Sequence, residues 1–223
     1  MIKHILFLVV LLAFAFSAQA QLRTSPAAFT IARLKYSGGG DWYNGPTEIP
    51  NLLTFLRKNT PIRTDSEEAQ VEILDDLLFA YPVLFLTGHG NIRFTEDEVR
   101  RLRIYLERGG FLFANDDYGL DKAFRREMER VFPDKQLVEL PPSFDLFKSP
   151  FFFPNGLPKI HAHDNEPPQA LGLFHEGRLV VFYNYSSDIA DGWDDPDVHG
   201  DPQEKREEAL KMGTNIIVWA LSH

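Results

Sequence analysis

The chain of 223 residues contains no cysteine, and its 32 acidic and 23 basic side chains leave a formal net charge of −9. The absence of cysteine excludes disulfides, thiolate metal ligands and a cysteine nucleophile. The acidic charge disfavours binding to nucleic acid or anionic lipid, because both are themselves negative. The expected partners are therefore a small molecule, a glycan or an envelope protein.

Residues 1–20 have the pattern of a secretory signal peptide. Lys3 precedes an apolar run at residues 5–16, and Ala18-Gln19-Ala20 matches a small-x-small cleavage signal. The run is too short for a bilayer core of about 30 Å, which argues against a permanent membrane anchor. No later segment approaches the length of a membrane span, so we expect the mature protein to be periplasmic or secreted.

From residue 28 onward, strand and helix signals alternate, a pattern typical of a largely parallel sheet with helices on its faces. We therefore expect a lead-in at residues 21–27 and a single α/β domain over residues 28–223. The apolar run at residues 83–86 should lie centrally in the sheet. The predicted strands lie at residues 29–34, 83–86, 111–114 and 136–140, followed by a β-hairpin of residues 171–174 and 178–183.

Four helices are predicted from apolar residues at one-face spacing. The second has the clearest start, because Thr95 and Glu98 form a capping box, and Gly109-Gly110 ends it. Pro133 stops the third helix, and the last begins at about Gln203. The four apolar faces are Ile49, Leu52, Leu53 and Leu56; Val99, Leu102 and Leu106; Leu120, Phe124, Met128 and Val131; and Ala209, Gly213, Ile216, Ile217 and Ala220.

Residues 141–170 are rich in proline, phenylalanine and asparagine without a helical period, which indicates a long ordered excursion with room for a hairpin. Its aromatic content argues against disorder. The cluster Phe144, Phe147, Phe151, Phe152 and Phe153 has two interpretations: it belongs to the core, or it is an exposed surface that makes the protein a scaffold for an envelope complex.

Loops at the carboxyl ends of the strands are the expected location of a site. In open parallel sheets, ligands bind there because the loops converge and helix N-termini point free N–H groups into the crevice. The rule selects loops that are rich in glycine, polar or aromatic residues: residues 36–43, 87–91, 115–119 and 185–188.

His89 stands between Gly88 and Gly90, directly after a buried strand. Glycine on both sides permits a strained turn that presents one side chain to the crevice. The imidazole is a candidate general base, metal ligand or orienting hydrogen-bond donor, or else it ties neighbouring loops together. Asp116 and Asp117 follow the next strand and are candidates to orient His89, to bind a cation or to cap the following helix.

The first rim loop carries three glycines, Gly38 to Gly40, before Asp41. This run lacks the spaced-glycine dinucleotide fingerprint and the P-loop lysine, so it is either an anion cradle or a flexible connection. Trp42 and Tyr43 form either an aromatic wall for a ligand ring or a plug over the edge of the sheet.

His161 and His163 would point to the same side of a strand, a spacing compatible with zinc. Two ligands are too few, and a third from His175, His89 or an aspartate would be required. We predict no cofactor, with a divalent metal as the alternative. The acidic run at residues 188–201 is either a solvated loop or an oxygen-rich calcium site that lacks EF-hand spacing.

Several motifs together resemble an exported bacterial family known as a domain of unknown function and allied to the class I glutamine amidotransferase-like superfamily. They comprise Gly39-Gly40-Asp41-Trp42-Tyr43 with Pro46, Thr87-Gly88-His89-Gly90, Gly109-Gly110-Phe111-Leu112, Asp116-Asp117 and Gly177-Arg178-Leu179. The resemblance spans about residues 28–221. It implies a flavodoxin-like three-layer sandwich with a mostly parallel central sheet, here with a β-hairpin excursion.

In the amidotransferases, the turn after the central strand is Gly-x-Cys-x-Gly, and its cysteine attacks the glutamine amide. Here His89 stands near the place of that nucleophile, so a cysteine-dependent amidotransferase reaction is excluded. The resemblance implies the fold and the location of a site, and it carries over no catalytic residue.

These observations favour a noncatalytic domain that binds a ligand or partner in the crevice. The alternative is a hydrolase in which His89 with Asp116 or Asp117 activates water, either alone or with the help of a metal ion. The expected ligand-binding residues are Gly39, Gly40, Asp41, Trp42, Tyr43, Gly88, His89, Gly90 and Asp116.

Overall fold

The computed structural model describes residues 28–161 and 165–223. The predicted signal peptide, the whole lead-in and His163 lie outside the described residues. Within the described part, no helix is long and apolar enough to cross a membrane.

A seven-stranded sheet forms the middle layer of the molecule. Its strands are β1 (Ala32–Lys35), β2 (Ala69–Glu72), β3 (Val83–Leu86), β4 (Phe111–Asn115), β5 (Val138–Glu139), β6 (Gln169–His175) and β7 (Arg178–Tyr185). They are arranged in the order β2-β1-β3-β4-β7-β6-β5. The first five strands in this order are parallel, whereas β6 pairs antiparallel with β7, and β5 pairs antiparallel with β6.

Helices cover both faces, which confirms the α/β fold of a flavodoxin-like three-layer sandwich. The helices are α1 (Glu48–Asn59), α2 (Glu96–Glu107), α3 (Asp121–Val131), α4 (Pro196–His199) and α5 (Gln203–Ser222). Short 3₁₀ turns lie at Asp76–Ala80, Asp145–Phe147 and Asp191–Trp193. The predicted capping box is present at the start of α2, where Thr95 and Glu98 each accept a backbone N–H of the other.

Two hydrophobic clusters occupy the two faces of the sheet. Successive strand residues point to opposite faces, so Leu84 and Leu86 join the cluster beneath α2 and α3. Val83 and Phe85 join the cluster beneath α1 and α5. β3 is therefore buried on both sides, which explains why it reads as an uninterrupted apolar run.

The structure corrects several predicted boundaries. The first strand begins at Ala32, and Phe29 forms only an isolated bridge with Thr64. The strand predicted at 136–140 is reduced to two residues. Strand β2 was not predicted, because it is a short edge strand in an acidic segment with Val71 as its one fully buried side chain.

The excursion after β5 is ordered around a 3₁₀ turn and forms no hairpin in its described residues, 141–161 and 165–168. The predicted hairpin is present as β6 and β7, and β7 joins it to the central sheet through β4. Phe147 and Phe153 are buried, whereas Phe152 is 71% exposed. The aromatic cluster therefore belongs mainly to the core, which leaves little apolar surface for a scaffold at this place.

Candidate functional site

The four selected loops lie together at the carboxyl edge of the sheet, hereafter the rim. The hydroxyl of Tyr36 donates to the Thr87 carbonyl at 2.9 Å, joining the loops after β1 and β3. The Thr87 hydroxyl and the Asn44 amide donate to Oδ2 of Asp117 at 3.1 and 3.3 Å. Asp117, itself buried, thus holds three loops in one arrangement.

His89 is oriented by Asp41. Its Nδ1 lies 3.1 Å from Asp41 Oδ2, and its backbone N–H donates to Asp41 Oδ1. Both side chains are partly exposed. The sequence offered Asp116 or Asp117 for this role, whereas the contact seen on Nδ1 is Asp41. Asp117 accepts bonds from Thr87 and Asn44, and Asp116 accepts bonds from Tyr183 and Ser186.

The glycine run packs against the loop after β3 at two of its three positions. The Gly40 N–H donates to the Asn91 carbonyl at 2.9 Å, and this donor is therefore already occupied. A side chain at Gly38 would meet the backbone of Arg93 at 2.6 Å. Gly39 is exposed, and a Cβ there would have nothing within 4 Å. Close packing of two loops accounts for Gly38 and Gly40 without an anion.

Trp42 and Tyr43 have different environments. Trp42 packs against the core beneath α2 and α3, and the Lys35 ammonium lies 5.4 Å from its ring. Tyr43 stands edge-on to Trp42 at 5.6 Å between centroids and is 65% exposed. Trp42 therefore matches the plug, and Tyr43 is the member of the pair that is accessible to a ligand.

A pocket of about 300 Å³ opens at the rim between the loops that follow β4 and β7. The turn of His89 adjoins it, because a Cβ on Gly119 would lie 3.8 Å from the Gly90 nitrogen. Neither Trp42 nor Tyr43 lines it. Its lining consists of Asp116, Asp117, Tyr118, Gly119, Asp121, Lys122, His161, Tyr185, Ser186 and Ser187.

Two of the predicted candidates, Asp116 and Asp117, line this pocket. The Asp116 carboxylate accepts the Ser186 N–H at 2.7 Å and the Tyr183 hydroxyl at 2.9 Å. Burial raises its pKa to about 6, although both hydrogen bonds favour the ionised form and lower the pKa. A carboxyl with this pKa gains or loses its charge when the pH changes between about 5 and 7.

The loop that closes the pocket contains unusual backbone conformations. Ser186 and Asp188 have positive φ values of 53° and 44°. Residues other than glycine seldom adopt such conformations, which cost on the order of 1–3 kcal/mol and cluster at ligand sites. The Asn115 amide bonds Asp188 at 2.8 Å and so holds this loop against β4.

Beneath the rim lies a cluster of buried carboxylates, which we term the acidic cluster. It comprises Glu48, Asp117, Asp188, Asp191 and Asp194. The solvated interpretation of the acidic run is therefore wrong for its first half. Trp193 is fully buried between Phe85 and Phe113 and draws the adjacent aspartates inward.

The carboxylates in the acidic cluster affect one another. Burial raises the pKa of Asp188, and the charges of Asp117 and Asp191 raise it further. Burial also raises the pKa of Glu48, against the opposing effect of the Arg33 guanidinium 3.4 Å away. Arg33 is a charged residue between the apolar Ala32 and Leu34 of β1, and this was the available sequence signal for a buried ionic network.

The structure describes one member of the predicted histidine pair. His161 reaches Asp191 with Nδ1 at 2.5 Å from Oδ2, whereas His163 lies outside the described residues. His175 ends β6 at the opposite edge of the sheet, with its ring 5.9 Å from that of Phe132. The second histidine beside Asp191 is His199, which the sequence indicated only as part of the acidic run.

A sequence model described as "Domain of unknown function (DUF4159)" matches residues 30–221. No curated protein matches the chain.

Proposed function

Because the chain belongs to this DUF4159 family, from which no activity can be carried over, we propose a function from its geometry. The protein is a noncatalytic binding domain for a small, hydroxyl-rich ligand that is neutral or cationic. The supporting observation is the rim pocket, where the carboxyls of Asp116, Asp117 and Asp121 adjoin two tyrosines and one lysine.

The composition of the pocket supports this ligand class. Carboxylate oxygens accept hydrogen bonds from hydroxyl and ammonium groups, and they repel phosphates and other anions. Tyr118 is 64% exposed at the pocket and offers a ring face against which a sugar can pack. The volume of about 300 Å³ is at the small end of typical ligand pockets, which suits a ligand of one sugar ring.

A matched pair of tyrosine variants tests the proposal. Tyr118 lines the pocket and Tyr43 does not, although the two side chains are 64% and 65% exposed. Neutral and amino sugars should raise the thermal midpoint of the protein, whereas sugar phosphates should not. Tyr118→Ala should weaken sugar binding roughly tenfold, the loss expected for one aromatic contact, and Tyr43→Ala should leave it unchanged. Failure of every sugar, or equal losses in both variants, contradicts the proposal.

The Asp41–His89 pair favours a second candidate, a hydrolase. A carboxylate on Nδ1 is the arrangement that orients a catalytic imidazole, whose other nitrogen then acts as general base. His89→Gln should lower turnover of an ester or glycoside by about 10²-fold or more, with a nearly unchanged thermal midpoint. His175→Gln, at the opposite edge of the sheet, is the control. A panel of chromogenic esters, glycosides and phosphates on which both variants match the wild type would eliminate this candidate.

Two further expectations form part of the proposal. The leader pattern of residues 1–20 supports export to the periplasm or beyond the cell. Kinship with the class I glutamine amidotransferase-like superfamily is supported by the turn at residues 87–90, which follows a central parallel strand. The absence of cysteine keeps the amidotransferase reaction excluded.

A further inference from the structure

Two histidines that are distant in sequence meet on one buried carboxylate. His161 Nδ1 lies 2.5 Å from Asp191 Oδ2, and His199 Nε2 lies 3.4 Å from Asp191 Oδ1. One ligand atom from each of the three residues lies within 4.8 Å of the other two. The histidine rings are 5.5 Å apart between centroids and come from the excursion and from helix α4.

The position of these groups allows an ion to enter. Asp191 is buried, whereas both imidazoles are partly exposed. His161 also lines the rim pocket, so solvent reaches the trio from that side. The carboxylate thus forms the floor and the two rings form the accessible wall of one small site.

Other buried carboxylates surround Asp191. Its carboxylate has oxygens within 4.8 Å of those of two further pairs of buried acids. These pairs are Glu48 with Asp194 and Asp117 with Asp188. Buried carboxylates are costly unless they are paired or bound to a cation.

Two arginines beside the acidic cluster balance only part of its negative charge. Arg33 is shared between Glu68 and Glu48, and Arg206 donates to the main-chain carbonyl of Asp194. Within the described residues, Oε1 of Glu48 is buried and accepts no hydrogen bond. This unbonded oxygen belongs to a residue grouped with Asp191, so the negative charge beside Asp191 is only partly balanced.

We propose that His161, Asp191 and His199 bind a transition-metal ion, with Zn²⁺ as the best match. Two imidazoles and one carboxylate are a common zinc ligand set, and a fourth position remains for water or for a ligand in the pocket. In a tetrahedral zinc site, nitrogen and oxygen ligands lie about 3.3 Å apart. The His199 Nε2–Asp191 Oδ1 distance of 3.4 Å matches this spacing, and His161 contacts the other oxygen of the same carboxylate.

Zinc binding is measured directly and without any pocket ligand, so this site stands independently of the proposed sugar binding. The protein is purified without a polyhistidine tag, stripped with EDTA and titrated with ZnCl₂ in a calorimeter. We expect one equivalent to bind. His161→Gln and His199→Gln should each weaken binding at least about tenfold, since even loss of an outer-shell partner has that effect. His175→Gln, remote from the site, should bind zinc as the wild type does.

Thermal unfolding of the metal-free variants shows whether they are folded. Zinc should raise the midpoint of the wild type and of His175→Gln, and it should raise those of His161→Gln and His199→Gln much less. The proposal is overturned if the wild type takes up no zinc. It is equally overturned if the two site variants bind zinc as tightly as His175→Gln does.

Discussion

Asp116 illustrates how neighbouring groups set the properties of a single residue. Its carboxyl is held by Ser186 and Tyr183, and burial raises its pKa from 3.8 to about 6. A carboxyl whose pKa is higher in the folded state holds its proton more tightly there. Its contribution to stability is therefore present at low pH and is lost as the pH rises through the folded pKa.

Replacement of Asp116 by asparagine should remove this pH dependence. From pH 7 to pH 5, the wild type should gain about 1 kcal/mol of unfolding free energy relative to Asp116→Asn, because only its folded state takes up a proton near pH 6. Urea unfolding at pH 5, 6 and 7 measures the difference. Asp76→Asn, at a fully exposed side chain, is the control, and parallel pH profiles for Asp116→Asn and the wild type would contradict the assignment.

At the scale of elements, the turn that follows β3 is determined by contacts with the loop after β1. Gly88 has a φ of 128°, and a Cβ there would lie 2.4 Å from the Tyr36 hydroxyl oxygen and 2.9 Å from the Asp41 carbonyl carbon. Gly90 also has a positive φ, of 85°, but a Cβ there would meet nothing within 4 Å. Substitution of Gly90 therefore tests backbone strain alone, whereas substitution of Gly88 tests strain and steric overlap together.

Gly88→Ala should lower the free energy of unfolding by about 2–4 kcal/mol, because strain and overpacking act together. Gly90→Ala should cost only about 1–2 kcal/mol, the penalty of a left-handed residue. Chemical denaturation of both variants provides the comparison. Equal losses would mean that the two loops separate easily and that the rim is not preformed.

At the scale of the molecule, one sheet connects the two hydrophobic layers. The central strands contribute alternate side chains to both clusters, so neither cluster can be lost while the other stays intact. Trp193 reports on the layer beneath α1 and α5, and Leu102 of α2 lies in the opposite layer. A change at Leu102 should therefore be detected at Trp193.

Leu102→Ala should lower the free energy of unfolding by about 2–5 kcal/mol, as expected for truncation of a buried leucine. With Trp42 and Trp219 replaced by phenylalanine in all samples, so that only Trp193 fluoresces, the transition followed by fluorescence should shift together with the one followed by far-ultraviolet circular dichroism. Leu53→Ala, in the other layer, should act in the same manner. A fluorescence midpoint that stays in place while the dichroism midpoint moves would show that the layers unfold separately.

The strands and helices that could be predicted are those whose signals are local. The apolar run at residues 83–86 and the capping box of Thr95 and Glu98 depend only on near neighbours, and both are confirmed. The convergence of the loops at residues 36–43, 87–91 and 115–119 followed from strand direction alone. The edge strand β2 has no comparable signal, because an edge position requires few apolar side chains.

The sequence by itself determined the layered α/β fold, the convergence of the polar loops at the rim and the exclusion of cysteine chemistry. Only the tertiary structure decided which side chains meet there: His89 with Asp41, and His161 with Asp191. Aspartates in a loop are ordinarily solvated, and these are buried because Trp193 packs between Phe85 and Phe113. That packing joins residues far apart in the chain, and no local pattern records it.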